Sequence, residues 1–103
     1  MYSVLIVDDF AIDRQNLADA VRSFNKLPLH IIGVCENAYD ALEIIRNMET
    51  DILICDVEMP GMDGISLARR IRQDDKEVLL MFITNMAQYA LHGYEVEAID
   101  YVI

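Results

Sequence analysis

The sequence is short of positive charge. Its 8 lysines and arginines face 18 aspartates and glutamates, a formal net charge of -10. Non-specific nucleic-acid affinity comes mainly from Lys and Arg neutralising phosphates, so no direct nucleic-acid binding is expected of this segment. Long apolar runs are missing too. Stretches such as VLLMFI at 78–83 fall far short of the roughly 20 residues that span a bilayer, so no membrane partner is expected. The opening MYSVLIVDDF has no basic stretch and reaches two aspartates too soon for an export signal, which makes a cytoplasmic location the expectation. Cysteine is scarce, with 2 residues, and in that compartment the thiols are expected to be reduced. Linkers, repeats and low-complexity tracts are absent, so residues 1–103 read as one domain.

What is there is apolar. Hydrophobic residues make up 54% of the chain, a content that favours a sheet buried on both faces over a half-wet one. Five short apolar or β-branched segments, at 2–7, 29–35, 51–55, 78–83 and 97–103, read as strands. Helical patterns lie between them. The first carries Leu17, Val21 and Phe24 on one face and stops at Asn25-Lys26-Leu27-Pro28. The second places Ala38, Ala41, Leu42, Ile45 and Met48 on one face, with Asn37 as N-cap. A third uses Ile65, Ala68 and Ile71 after an Asp63 cap, and a short fourth, with Ala87, Ala90 and Leu91, runs into Gly93.

Strand and helix alternating in this way predict an α/β fold, a doubly wound five-stranded parallel sheet of order 2-1-3-4-5. In that order ligands bind at the carboxyl ends of the first and third strands, where the winding reverses. The residues there are Asp8 and Asp9 on one side and Asp56 on the other. Carboxylates brought together repel, and an all-oxygen donor set suits magnesium, which keeps several waters and takes one or two carboxylates plus phosphate oxygens. Aspartate at a strand-to-helix turn is also a common helix N-cap. Either acidic end alone is as readily a cap as a site; both at the switch point favour the site. Gly61 and Gly64 let the loop after Asp56 bend, Pro60 stiffens it, and its N–H groups can face an anion. Thr84 adds a hydroxyl at the end of the fourth strand. An aspartate so placed can act as a nucleophile toward a phosphoryl group.

With LIVDD closing strand one, CDVEMPGMDG after strand three, ITN closing strand four and AIDYVI at strand five, the sequence resembles a receiver domain of a two-component response regulator. The resemblance spans essentially the whole chain and implies the flavodoxin-like form of the fold. It implies that Asp56 accepts a phosphoryl group from a sensor histidine kinase, and that Asp8, Asp9, Asp56 and the backbone carbonyl of Glu58 hold Mg2+. It further implies that Thr84 contacts the phosphoryl group and that Tyr101 is an aromatic switch following Thr84. The surface of the fourth helix and fifth strand then changes and controls a separate C-terminal DNA-binding domain. The stretch MFITNMAQYALHGYEVEAIDYVI resembles regulators whose output domain is of the LytTR type. Met86 and Glu58, two residues beyond Thr84 and Asp56, are placed to shield or admit an attacking water, although methionine is as often a gap filler.

The family pattern continues with a lysine, a proline and a fifth helix, whereas this chain stops at Ile103. The expectation is a truncated chain with part of one sheet face uncovered, prone to associate as a homodimer or swapped oligomer through that face or through the fourth helix and fifth strand. Cys35 and Cys55 end strands that flank the first, about two strand spacings or roughly 9 to 10 Å apart, too far for a disulfide. His30 and His92 have no partners spaced for a site, and Arg69, Arg70 and Arg72 read as a solvated face. Competing functions are a haloacid dehalogenase-like phosphatase or phosphotransferase, with Glu58 as general acid, and a phosphorylation-independent dimerisation module.

Overall fold

A computed structural model describes residues 1–74 and 77–83 in full and the backbone of 98–102. The elements run β1 (Tyr2–Val7), α1 (Ala11–Ser23), β2 (Leu29–Cys35), α2 (Ala38–Asn47), β3 (Ile52–Asp56), α3 (Gly64–Asp74), β4 (Leu79–Ile83) and β5 (Ala98–Val102). The strands form one sheet in the order β2-β1-β3-β4-β5, and every neighbouring pair is parallel. This is the predicted doubly wound arrangement. The predicted fourth helix, with Ala87, Ala90 and Leu91, lies outside the described residues.

Alternate strand residues feed two cores, as period-two geometry requires. Leu5, Val7, Leu53, Cys55, Leu80 and Phe82 pack on the side of Ala38, Ala41 and Leu42 from α2 and Ile65, Leu67, Ala68 and Ile71 from α3. Val4, Ile6 and Ile54 face Ala18 and Val21 of α1 on the other side. Each fully buried Leu or Phe contributes about 1.5 to 3 kcal/mol relative to exposure. The α1 side is the thinner one, where Leu29, Ile31, Ile52, Met81 and Ile83 are only partly buried.

The helix caps follow their sequence signals. Asn37 Oδ1 accepts from the Asp40 N–H at 2.9 Å, and Asp63 Oδ1 accepts from the Ser66 N–H at 2.8 Å, each satisfying an otherwise orphaned first-turn donor. Two apolar assignments need correction. Phe24 is the C-cap of α1 rather than part of its inner face and is 45% exposed. Met48 likewise caps α2 and is 47% exposed. Each closes the last turn with its backbone N–H, Phe24 onto the Val21 carbonyl and Met48 onto the Ile44 carbonyl, but its own backbone is already extended, so the helical periodicity no longer places its side chain. Among the described residues no helix is long and apolar enough to cross a membrane.

Candidate metal centre

Strand register assembles the site. Val7 pairs with Cys55 across β1 and β3, and Asp56 pairs with Ile83 across β3 and β4, so the carboxyl ends of three adjacent strands stand level. Asp56 is the last residue of β3, and Asp8 follows β1 directly. Asp8, Asp9 and Asp56 each offer a carboxylate oxygen within 4.8 Å of the other two. None of them caps a helix: the N-cap of α1 is Phe10, and Asp63 caps the first turn of α3.

Each carboxylate is held differently. Asp8 is 3% exposed; its Oδ1 accepts from the Phe10 N–H at 2.9 Å, and its backbone N–H donates to the Cys35 carbonyl at 3.0 Å. Burial raises its pKa, and the charges of Asp13 and Asp9 push the same way, against the Phe10 N–H and Arg14. Asp9 Oδ1 is buried and has no hydrogen-bond partner among the described residues. Such an oxygen is costly to keep from water unless something meets it. Asp56 is pushed up to about 7, first by burial and then by the charges of Asp8 and Asp9, against the opposing pull of the Glu58 and Val57 backbone N–H groups.

The donor set fits a hard divalent cation. Three acidic side chains, one of which has a buried oxygen without a partner among the described residues, supply charge and oxygen ligands of the kind magnesium takes, and a cation among them would offset the burial and repulsion that raise Asp56.

Close packing shapes the loop after Asp56. A Cβ at Gly64 would collide with the Asp56 carbonyl oxygen and stand 3.0 Å from Cys55 Sγ; the Gly64 N–H donates to the Val57 carbonyl at 2.8 Å. Only a residue without a side chain lets α3 start this close to the end of β3. Gly61 has φ +78°, a left-handed conformation that glycine takes without strain. Cys35 and Cys55 are free and buried, on either side of Val7 in the register, as their predicted separation requires.

Two contributors had no signal in the sequence. Arg14 Nη1 donates to the Asp8 carbonyl at 2.9 Å, tying α1 to the acidic turn. Tyr39 lies against Gly61. Both reach the site from neighbouring elements, and helical spacing marks neither. Thr84, Met86 and His92 lie outside the described residues; Tyr101 lies in β5 opposite Phe82, and its side chain lies outside them as well.

Comparison with known proteins agrees with this geometry. The family model for the response regulator receiver domain matches residues 4–103. An uncharacterised response regulatory protein of Vibrio cholerae is 36% identical over 108 residues, covering 99% of this chain and 39% of the relative. The transcriptional regulatory protein YpdB of Escherichia coli is 28% identical, covering 97% of this chain and 40% of that protein. The chain thus spans about two fifths of the length of these relatives. Among solved structures, the response regulator protein TrrA from Thermotoga maritima in complex with Mg(2+)-BeF superposes with a TM-score of 0.84 at 28% identity, covering 100% of this chain and 86% of that one.

Proposed function

The chain belongs to the response regulator receiver domain family, and on that premise we propose that it is a phosphoacceptor in which Asp56 receives a phosphoryl group from a sensor histidine kinase. The observation that carries this reading is the convergence of Asp8, Asp9 and Asp56 at the carboxyl ends of β1 and β3. Asp8, Asp9, Asp56 and the backbone carbonyl of Glu58 would hold Mg2+. The ion supplies charge neutralisation for the carboxylates and for the equatorial oxygens of the transferring group.

The protein's own groups do the rest. The Asp56 carboxylate attacks phosphorus; an O–P bond forms as the N–P bond of a phosphohistidine breaks, and the electron pair returns to the imidazole. The Glu58 and Val57 N–H groups favour the charged form of Asp56, and Arg14 holds the turn that carries Asp8 and Asp9. Thr84 contacts the bound phosphoryl group and Tyr101 follows it, shifting the population of the fourth-helix and fifth-strand surface. In the full-length protein that surface controls a DNA-binding output domain of the LytTR type, in the cytoplasm. Kinship with YpdB, named a transcriptional regulatory protein, supports a transcriptional output.

The test is incubation with acetyl phosphate and Mg2+, followed by intact-mass measurement, on this chain and on one extended beyond Ile103. One phosphoryl group is expected on the extended chain and none on its Asp56→Asn variant. No gain, or a gain that survives Asp56→Asn, overturns the reading.

A further inference from the structure

We propose that Tyr39 is a positioning residue for this centre: its ring clasps the tip of the loop between β3 and α3 at Gly61, and so sets how the Glu58 carbonyl is presented to the cation. The proposal rests on the magnesium reading above. The loop is pinned at both ends. Val57 is fully buried and Met59 is 7% exposed, the Gly64 N–H donates to the Val57 carbonyl, and Asp63 caps α3. Between these anchors Pro60 and Gly61 are exposed.

Tyr39 meets them from α2. A Cβ built on Gly61 would stand 3.3 Å from Tyr39 Cε2 and 3.5 Å from its hydroxyl, so the face of the glycine that a side chain would occupy is covered by the ring. With φ at +78°, Gly61 holds a left-handed conformation at this point of the loop. Tyr39 is 59% exposed and contributes little to the core. Its position is set by the start of α2, which the Asn37 cap locates. The ring therefore links the best-capped end of α2 to the loop residue three beyond Glu58.

Replacement of Tyr39 does not threaten folding, because alanine is the best helix former and the site is exposed. The experiment compares the wild type with Tyr39→Ala and Tyr39→Phe. Amide hydrogen exchange is followed in the metal-free protein, and Mg2+ is titrated with the amide resonances of residues 8, 9 and 56 as the readout. In Tyr39→Ala, exchange at 58–62 should quicken and Mg2+ affinity should fall, each by about threefold to tenfold, at or below the roughly tenfold minimum for losing a direct outer-shell partner, because Tyr39 acts one step further out. Hydrogen exchange in β1 and β3 should not change, and Tyr39→Phe should retain the wild-type loop exchange and Mg2+ affinity. Unchanged loop exchange, unchanged affinity, or faster exchange throughout the chain overturns the clasp, and a Phe variant that behaves like Ala overturns the ring as its agent. A wild type that does not respond to Mg2+ overturns the magnesium reading instead, and the clasp then stands or falls on loop exchange alone.

Discussion

Asp56 carries a conflict that its neighbours create. In the metal-free protein it is raised from an ordinary 3.8 to about 7 by burial and by the charges of Asp8 and Asp9. A raised acid binds its proton more tightly in the folded state than in the unfolded one, so folding stability falls as pH rises from about 4 to 7 and stays low above that. Asp56→Asn removes the charge, and in metal-free protein at pH 8 it should stabilise the fold, by roughly 2 to 4 kcal/mol from the size of the shift. Below pH 4 the two proteins should be equally stable; urea denaturation at both pH values checks this. The same proton competes with the cation, so Mg2+ affinity should rise between pH 5 and 8 in the wild type and lose that rise in Asp56→Asn, as calorimetric titration would show. The sequence made the identities of the three acids plain, and their positions at strand ends made their meeting predictable. The unsatisfied Asp9 oxygen was not legible, because it depends on which rotamers and neighbours surround it.

At the scale of elements, the start of α3 is the sensitive joint. Gly64 lets the helix begin against the Asp56 carbonyl and Cys55 Sγ, atoms that a methyl group would overlap. Backbone cannot give way as a side chain can, so Gly64→Ala should push α3 from β3 at a cost of about 1 to 3 kcal/mol. It should also weaken Mg2+ binding, because the Gly64 N–H that donates to the Val57 carbonyl holds the loop carrying Glu58 and would move with the helix. Denaturant midpoints and Mg2+ titration of the variant check both. The glycines were visible as places where the chain can bend, but only packing separated Gly61, which needs its dihedral, from Gly64, which needs its space. Phe24 and Met48 teach the converse. Their spacing continues a helical stripe, yet the helices end before them, since apolar periodicity says nothing about which turn is the last.

For the whole molecule, cation binding and folding are linked, because the site exists only when β1 and β3 are paired. A ligand that binds only the native state stabilises it by about 2.7 kcal/mol at one hundred times its dissociation constant. The melting temperature should therefore rise with Mg2+, fall back on chelation, and respond far less in Asp8→Asn. A calorimetric scan showing equal shifts in both proteins would contradict the assignment of Asp8 as a ligand. The two-sided core makes this coupling stiff: Leu53 and Cys55 face one layer while Ile54 faces the other, so β3 cannot slip by one residue without turning its whole apolar set around. By itself the sequence determined the alternation of strands and helices, their order in the sheet, and the acids at the switch point. These rest on local periodicity and on the narrow set of ways in which parallel strands connect. The tertiary structure alone decided that none of those acids serves as a helix cap, that one buried oxygen of Asp9 has no partner among the described residues, and that Arg14 and Tyr39 reach in from adjacent helices. Such contacts join residues far apart in the chain, and their distances and burial arise only when the layers close.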